Sequence, residues 1–99
     1  MVEVRKTATF AEWLRGLRDL RAAARIQIRI DRLALGNPGD VRPVGEGVSE
    51  LRIDYGPGYR IYILQRRAFA LVLWGGDKSS QEVDIAKAKR LAKEWTDGA

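Results

Sequence analysis

The chain has 99 residues, neither cysteine nor histidine, a formal net charge of +5 and a pI near 10.0. That length bounds it to one small domain over residues 1–99. The missing side chains exclude disulfides, thiolate chemistry, the usual zinc sites and the commonest general acid or base. The positive balance rests mainly on arginine, which suits flat, multi-donor contacts with phosphate and favours nucleic acid or nucleoprotein over an acidic protein as partner. No stretch has the pattern of a signal peptide or of a bilayer-crossing run, so the expected location is the cytoplasm, with no membrane partner.

In chain order, Val2 to Lys6 alternates and predicts a first strand. Thr9 stands three residues before Glu12, the spacing of a capping box, and Phe10, Trp13, Leu14 and Leu17 follow at helical intervals. A helix is therefore expected from about residue 10. Gly16 marks a candidate break. Beyond it Leu20, Ala23, Ala24, Ile26, Ile30 and Leu33 continue an apolar stripe up to Gly36-Asn37-Pro38-Gly39. Ile26, Ile28 and Ile30 also alternate as a strand would, but the alanine-rich lead-in and the length of the pattern favour helix. On the other side of that helix Arg18, Arg21, Arg25, Arg29 and Arg32 recur at steps of three and four, a basic stripe about 20 Å long. It is either a solvated face or a surface for RNA, the ribosome or an acidic protein partner.

Val41 to Val44, interrupted by Pro43, predicts an edge strand. Leu51-Arg52-Ile53-Asp54-Tyr55 and Tyr59-Arg60-Ile61-Tyr62-Ile63-Leu64, joined by Gly56-Pro57-Gly58, predict a hairpin in which Tyr55 faces Tyr59. That register sets Arg52 across from Tyr62 and Asp54 across from Arg60. It puts Leu51, Ile53, Tyr55, Tyr59, Ile61 and Ile63 on an apolar face and Glu50, Arg52, Asp54, Arg60 and Tyr62 on the other. Phe69 to Trp74 is apolar almost throughout and predicts a central strand buried on both sides. Ser79 precedes Glu82 by three residues, and a last helix is expected from about Ser80 to Trp95, with Ile85, Ala88, Leu91, Ala92 and Trp95 inward. The expected fold class is α+β: strand, one long or two short helices, three or four antiparallel strands, helix. The helices are expected on one face of a curved sheet and the charged side of the hairpin on its free face.

Arg52, Arg60 and Tyr62 are expected to converge there, within reach of Lys78. Two guanidiniums, an ammonium and a phenol can hold a phosphodiester and offset the charge of a pentacoordinate transition state. With RNA the neighbouring 2′-hydroxyl can be the nucleophile, so neither a metal nor any other cofactor is required. Glu50 and Asp54 can serve as bases or simply pair with the arginines across the strands. Lys78, beside a helix N-terminus, is either surface decoration or a lysine whose pKa falls.

Gly45 to Tyr62, followed by Leu73-Trp74-Gly75-Gly76-Asp77-Lys78-Ser79-Ser80-Gln81 and Asp84-Ile85-Ala86-Lys87-Ala88, resembles the addiction-module killer proteins, a HigB-like branch of the RelE/ParE toxin superfamily. The resemblance implies a RelE-like β-α-(α)-β-β-β-β-α fold with a mainly antiparallel sheet. It implies the toxin of a type II toxin–antitoxin pair, silenced by a helix-turn-helix antitoxin, and an endoribonuclease (mRNA interferase) that cuts messenger RNA on the ribosome. By position, Arg60 matches the arginine that members place at the scissile phosphate, Lys78 falls where another basic catalytic side chain is supplied, and Arg52 matches by location only. The active-site His of some relatives and a C-terminal catalytic Tyr have no clear counterpart. Two alternatives share the fold: a ParE-like protein that poisons DNA gyrase by binding alone, and a catalytically inactive toxin that only binds partners.

Overall fold

A computed structural model describes residues 2–95; residue 1 and residues 96–99 at the ends of the predicted domain lie outside the described part. The order is β1 (Glu3–Lys6), α1 (Ala8–Arg15), α2 (Leu20–Ala34), β2 (Val41–Gly45), β3 (Val48–Ile53), β4 (Tyr59–Gln65), β5 (Phe69–Asp77), a 3-10 turn (Lys78–Ser80) and α3 (Gln81–Glu94). The strands form one five-stranded mixed sheet in the order β1-β5-β4-β3-β2, with β1 parallel to β5 and the other neighbours antiparallel. This is an α+β architecture. Among the described residues no helix is long and apolar enough to cross a membrane.

The α1 cap is Thr7 rather than Thr9. Its hydroxyl accepts from the Phe10 amide at 3.0 Å and donates to the Leu73 carbonyl at 2.8 Å, so one residue starts the helix and ties it to β5. The two-helix alternative holds. After Gly16, Asp19 accepts from the amides of Arg21 and Ala22 and starts α2 afresh. The inner line of α2 is Ala22, Ile26, Ile30 and Leu33; Leu20 and Ala24, assigned inward from spacing, are exposed. Restarting the helix at Asp19 sets its rotation independently of α1.

One core cluster joins Phe10, Ile26, Ile30 and Leu33 to Leu51, Ile53, Ile61, Ile63, Ala70 and Val72. A second joins Val48, Tyr62, Leu64, Leu71 and Leu73 to Ala88 and Ala92 of α3. Consecutive strand residues point to opposite faces, so α1 and α2 cover one face and α3 the other. The expectation of helices on one face only is corrected. Alternate residues of β4 and β5 leave a second apolar surface, and each large side chain there gains about 1.5–3 kcal/mol from burial. As expected, β2 is an edge and β5 is interior, although β4 takes the centre and β5 runs on to Asp77.

The hairpin keeps the predicted faces but not the predicted partners. Ile53 faces Tyr59, Arg52 faces Arg60, and Glu50 faces Tyr62, so residues 54–58 form the loop. The difference is a slide of two residues, which leaves every side chain on its face. The second cap also differs. Asp77, not Ser79, accepts from the Ser79 amide at 2.8 Å and holds the 3-10 turn, and α3 begins behind it at Gln81.

Candidate functional site

The register places Arg52 directly across from Arg60, an arrangement that like-charge repulsion disfavours unless a counter-charge lies between them. Glu50 supplies it. Its side chain is 1% exposed; Oε1 accepts from Arg52 Nε at 2.9 Å and lies 3.7 Å from Arg60 Nε. Its Oε2 accepts from Gln81 Nε2 at 2.9 Å, so the first turn of α3 closes over the carboxylate. Arg60 Nη1 donates to the Tyr59 carbonyl at 3.2 Å, which fixes the fork along its own strand. A carboxylate so enclosed positions the arginines and cannot meet a substrate.

Above this network lies an open pocket of about 400 Å³ lined by Asp40, Arg52, Asp54, Gly56, Pro57, Gly58, Arg60 and Lys78. Arg52, Arg60 and Lys78 therefore come together as expected. Gly58 has φ +80, and a β-carbon there would sit 3.5 Å from Lys78 Cβ and 3.6 Å from Arg60 Nη1. Glycine thus serves the turn and leaves the space between the two cations open. Asp54, expected to pair with Arg60 across the strands, instead sits in the loop at the pocket rim, because the slide removed it from the ladder. Of the two candidate bases, Asp54 faces solvent in the pocket and Glu50 does not.

Tyr62 is not in the pocket. It points to the α3 side, is 0% exposed, and among the described residues its hydroxyl has no hydrogen-bond partner. Burial, then the negative charges of Glu50 and Asp84, push its pKa well above the ordinary 10.0. Sequence patterning put it on the correct face, but that face is covered at this point by α3.

The arginine stripe also divides. Arg18 lies in the α1–α2 break, outside either helix. Arg29 donates to the carbonyls of Arg52, Pro38 (2.8 Å) and Asp40 (3.1 Å), clasping the 38–40 loop to the end of β3. Burial lowers its pKa, opposed by Asp40 and aided by Arg32. Arg25 stacks on the Tyr55 ring at 4.6 Å, and Tyr55 in turn donates to Asp19 at 3.2 Å. Arg21 and Arg32 are exposed. Arg29→Lys, which keeps the charge but not the fork, should cost about 1–2 kcal/mol in urea denaturation.

A protein of Haemophilus influenzae described as uncharacterized is 49% identical to this chain over 94 residues, which cover 94% of this chain and 95% of the relative. The chain belongs to that protein's family. Coverage this extensive takes in the sheet and the helices together rather than an isolated motif. No family model matches the chain, and no solved structure matches it.

Several contributors in this family member escaped sequence reasoning. Gln81, at the end of the Leu73–Gln81 motif and expected as the second residue of the last helix, had no assigned role, yet it seals Glu50. Asp84 is buried, accepts from Trp74 Nε1 at 2.9 Å and from Ser80 Oγ, and rests on the backbone of Gly76. The available signals were the four-residue line Asp84, Ala88, Ala92 and the adjacent glycines inside an apolar strand.

The buried phenol gives a test of its own. Because the folded-state pKa of Tyr62 is raised, its contribution is complete below pH 10 and is lost as the pH climbs beyond it, when the unfolded chain ionises and the folded one resists. Tyr62→Phe should leave neutral-pH stability unchanged or higher by about 1 kcal/mol, since an unpartnered hydroxyl is removed. It should also make the alkaline decline shallower, with Tyr59, also raised, retaining part of it. A fall of stability at pH 7 in denaturant titrations would contradict this assignment.

Proposed function

We propose that the chain is the toxin of a type II toxin–antitoxin pair, of the RelE/ParE superfamily and its HigB-like branch, and acts as a metal-independent endoribonuclease on messenger RNA. The observation that carries this reading is the convergence of Arg52, Arg60 and Lys78 on one open pocket, with Asp54 at its rim. The element order β-α-α-β-β-β-β-α supports the superfamily reading, as do the motifs around Gly45–Tyr62 and Leu73–Gln81.

In this mechanism a phosphodiester lies between Arg60 and Lys78. Asp54 takes the proton of the adjacent 2′-hydroxyl, the 2′ oxygen bonds to phosphorus, and the bond to the 5′ oxygen breaks. Lys78 gives a proton to that leaving oxygen. The products are a 2′,3′-cyclic phosphate and a 5′-hydroxyl end. Arg60, and Arg52 behind it, neutralise the charge that grows on the non-bridging oxygens. Glu50 keeps the two guanidiniums side by side, which alone they would resist. Tyr62, enclosed under α3, is left out of this scheme. The ribosome supplies alignment of the strand, and a cognate antitoxin, a helix-turn-helix protein, supplies silencing.

Brief induction in growing cells followed by mapping of 5′-hydroxyl ends on messenger RNA tests the proposal. New ends inside codons are expected within minutes. Intact transcripts would overturn it, and if accompanied by accumulated DNA breaks they would favour a gyrase poison.

A further inference from the structure

β1 pairs with β5 only over Phe69–Val72, so past Val72 the outer edge of β5 has no strand beside it among the described residues. There, between α1 and α3, opens a cleft of about 270 Å³ whose lining includes Trp13, Tyr59, Trp74, Asp77, Ser80 and Asp84. That is below the ~300–1,000 Å³ of pockets for drug-sized ligands and suits a single planar ring system. The rings of Trp13 and Tyr59 stand 6.2 Å apart at 70°, an aromatic corner that can stack a flat group on one wall and meet its edge with the other. Gly75 lets Trp13 lie against β5, where a β-carbon would collide with its ring. Asp84 is spent on Trp74 Nε1 and Ser80 Oγ, and the Trp74 ring is covered by Lys87 at 3.5 Å. Asp77 differs. Its hydrogen bonds from the amide and hydroxyl of Ser79 both go to Oδ1, so Oδ2 is left to accept from a ligand. Those bonds also hold its carboxyl below the ordinary carboxylate pKa, and it is ionised at neutral pH. Tyr59 and Asp77 face each other at the end of the β4–β5 ladder. Their chain neighbours Gly58, Arg60 and Lys78 line the phosphodiester pocket, so the two cavities adjoin.

We propose that this cleft receives a guanine base of the RNA strand whose phosphate lies at Arg60 and Lys78, with the ring system against Trp13 and Tyr59 and the N1–H and 2-amino group donating to the Asp77 carboxylate. Stacking admits any base, so discrimination falls to Asp77, and an ionised carboxylate can only accept. Guanine alone among the four bases offers two adjacent donors on its pairing edge. Adenine and cytosine set one amino group beside an unprotonated ring nitrogen, and uracil flanks its single N–H with carbonyls, so each brings a lone pair against the carboxylate. A cationic side chain also suits a carboxylate and aromatic rings. It would, however, enter beside Lys78 and Arg60 in a protein of net charge +5, and the Trp74 ring already carries Lys87. The choice of RNA as ligand rests on the phosphodiester reading, which Asp77 deepens into a base preference.

The probes are the four ribonucleosides and their 5′-monophosphates, none of which contains a phosphodiester, so no cleavage is involved. Binding is followed by NMR through the indole N–H signals of the isotope-labelled protein, which has three tryptophans, with Trp13 assigned by Trp13→Phe. Guanosine is expected to move the Trp13 signal and to bind at least about tenfold more tightly than the other three nucleosides. Asp77→Asn keeps an oxygen to cap the Ser79 amide but turns one acceptor into a donor. It is expected to bring guanosine down to the level of adenosine with the melting temperature unchanged. Equal binding of the four nucleosides, a guanosine titration that leaves Trp13 unmoved, or a guanosine preference that survives Asp77→Asn would overturn the proposal. So would tighter binding of N-acetylarginine amide that is lost in Asp77→Asn, which would make the cleft a cation site. The phosphate is read separately. Guanosine monophosphate is expected to bind at least about tenfold more tightly than guanosine, and Arg60→Ala to remove that gain while guanosine binds as before. A guanosine preference with no gain from the phosphate would uphold the cleft and overturn the phosphodiester pocket instead.

Discussion

Arg60→Ala is expected to lower RNA cleavage at least about a hundredfold, the usual consequence of removing one donor from the developing charge of a transition state. The chain should still fold. Glu50 keeps its hydrogen bonds to Arg52 and Gln81, and the contact that is lost, 3.7 Å from Arg60 Nε, is longer than a direct hydrogen bond. A loss of about 1–2 kcal/mol in stability accompanies removal of such a partner. Lys78→Ala provides the cleaner companion, because Lys78 is exposed and lines the same pocket without supporting the sheet. It should reduce cleavage while leaving the melting temperature unchanged. Full activity in a folded Arg60→Ala protein would remove the pocket as the active site.

Gly76→Ala is expected to produce the largest loss of stability among single methyl additions in the sheet, about 3 kcal/mol or more. A β-carbon at this position would lie 1.9 Å from Asp84 Oδ2 and 2.8 Å from its Cγ. The carboxyl group cannot yield cheaply. It is 7% exposed and accepts from Trp74 Nε1 and Ser80 Oγ, and moving it leaves those groups and itself unpaired in a desolvated place. For a domain of this size, whose whole stability is typically about 5–15 kcal/mol, the change is a large fraction. A double-mutant cycle checks the cause: Asp84→Ala should cost less in the Gly76→Ala background than in the native chain. Additive effects in urea denaturation would show that the two residues do not clash.

Both outcomes depend on how α3 seats, which explains why the site was only partly legible. Alternation in Leu51–Ile53 and Tyr59–Leu64 told which side each residue takes, and Arg52, Arg60 and Lys78 do meet. The same alternation could not distinguish Asp54 from Glu50 as the carboxylate that reaches the pocket. Nor could it foresee that α3 would cover Tyr62, because a buried tyrosine and a surface tyrosine on one strand face leave the same pattern. The basic stripe failed for a related reason: helical spacing says which arginines share a side, not that Arg29 would turn its fork into the 38–40 loop.

What the sequence determined by itself is the α+β class, the approximate order of the elements and the face of residues 50–53 and 59–63, since alternation along a strand fixes that parity. The partner of each residue was decided in three dimensions. Sliding the hairpin by two residues leaves the parity, and hence the pattern of hydrophobic burial, unchanged. Which of the two registers forms depends on contacts distant in sequence, among them Gln81 of α3 reaching Glu50 and Arg29 of α2 holding the end of β3. Those contacts place Arg52 beside Arg60 with Glu50 between them, and so make the pocket.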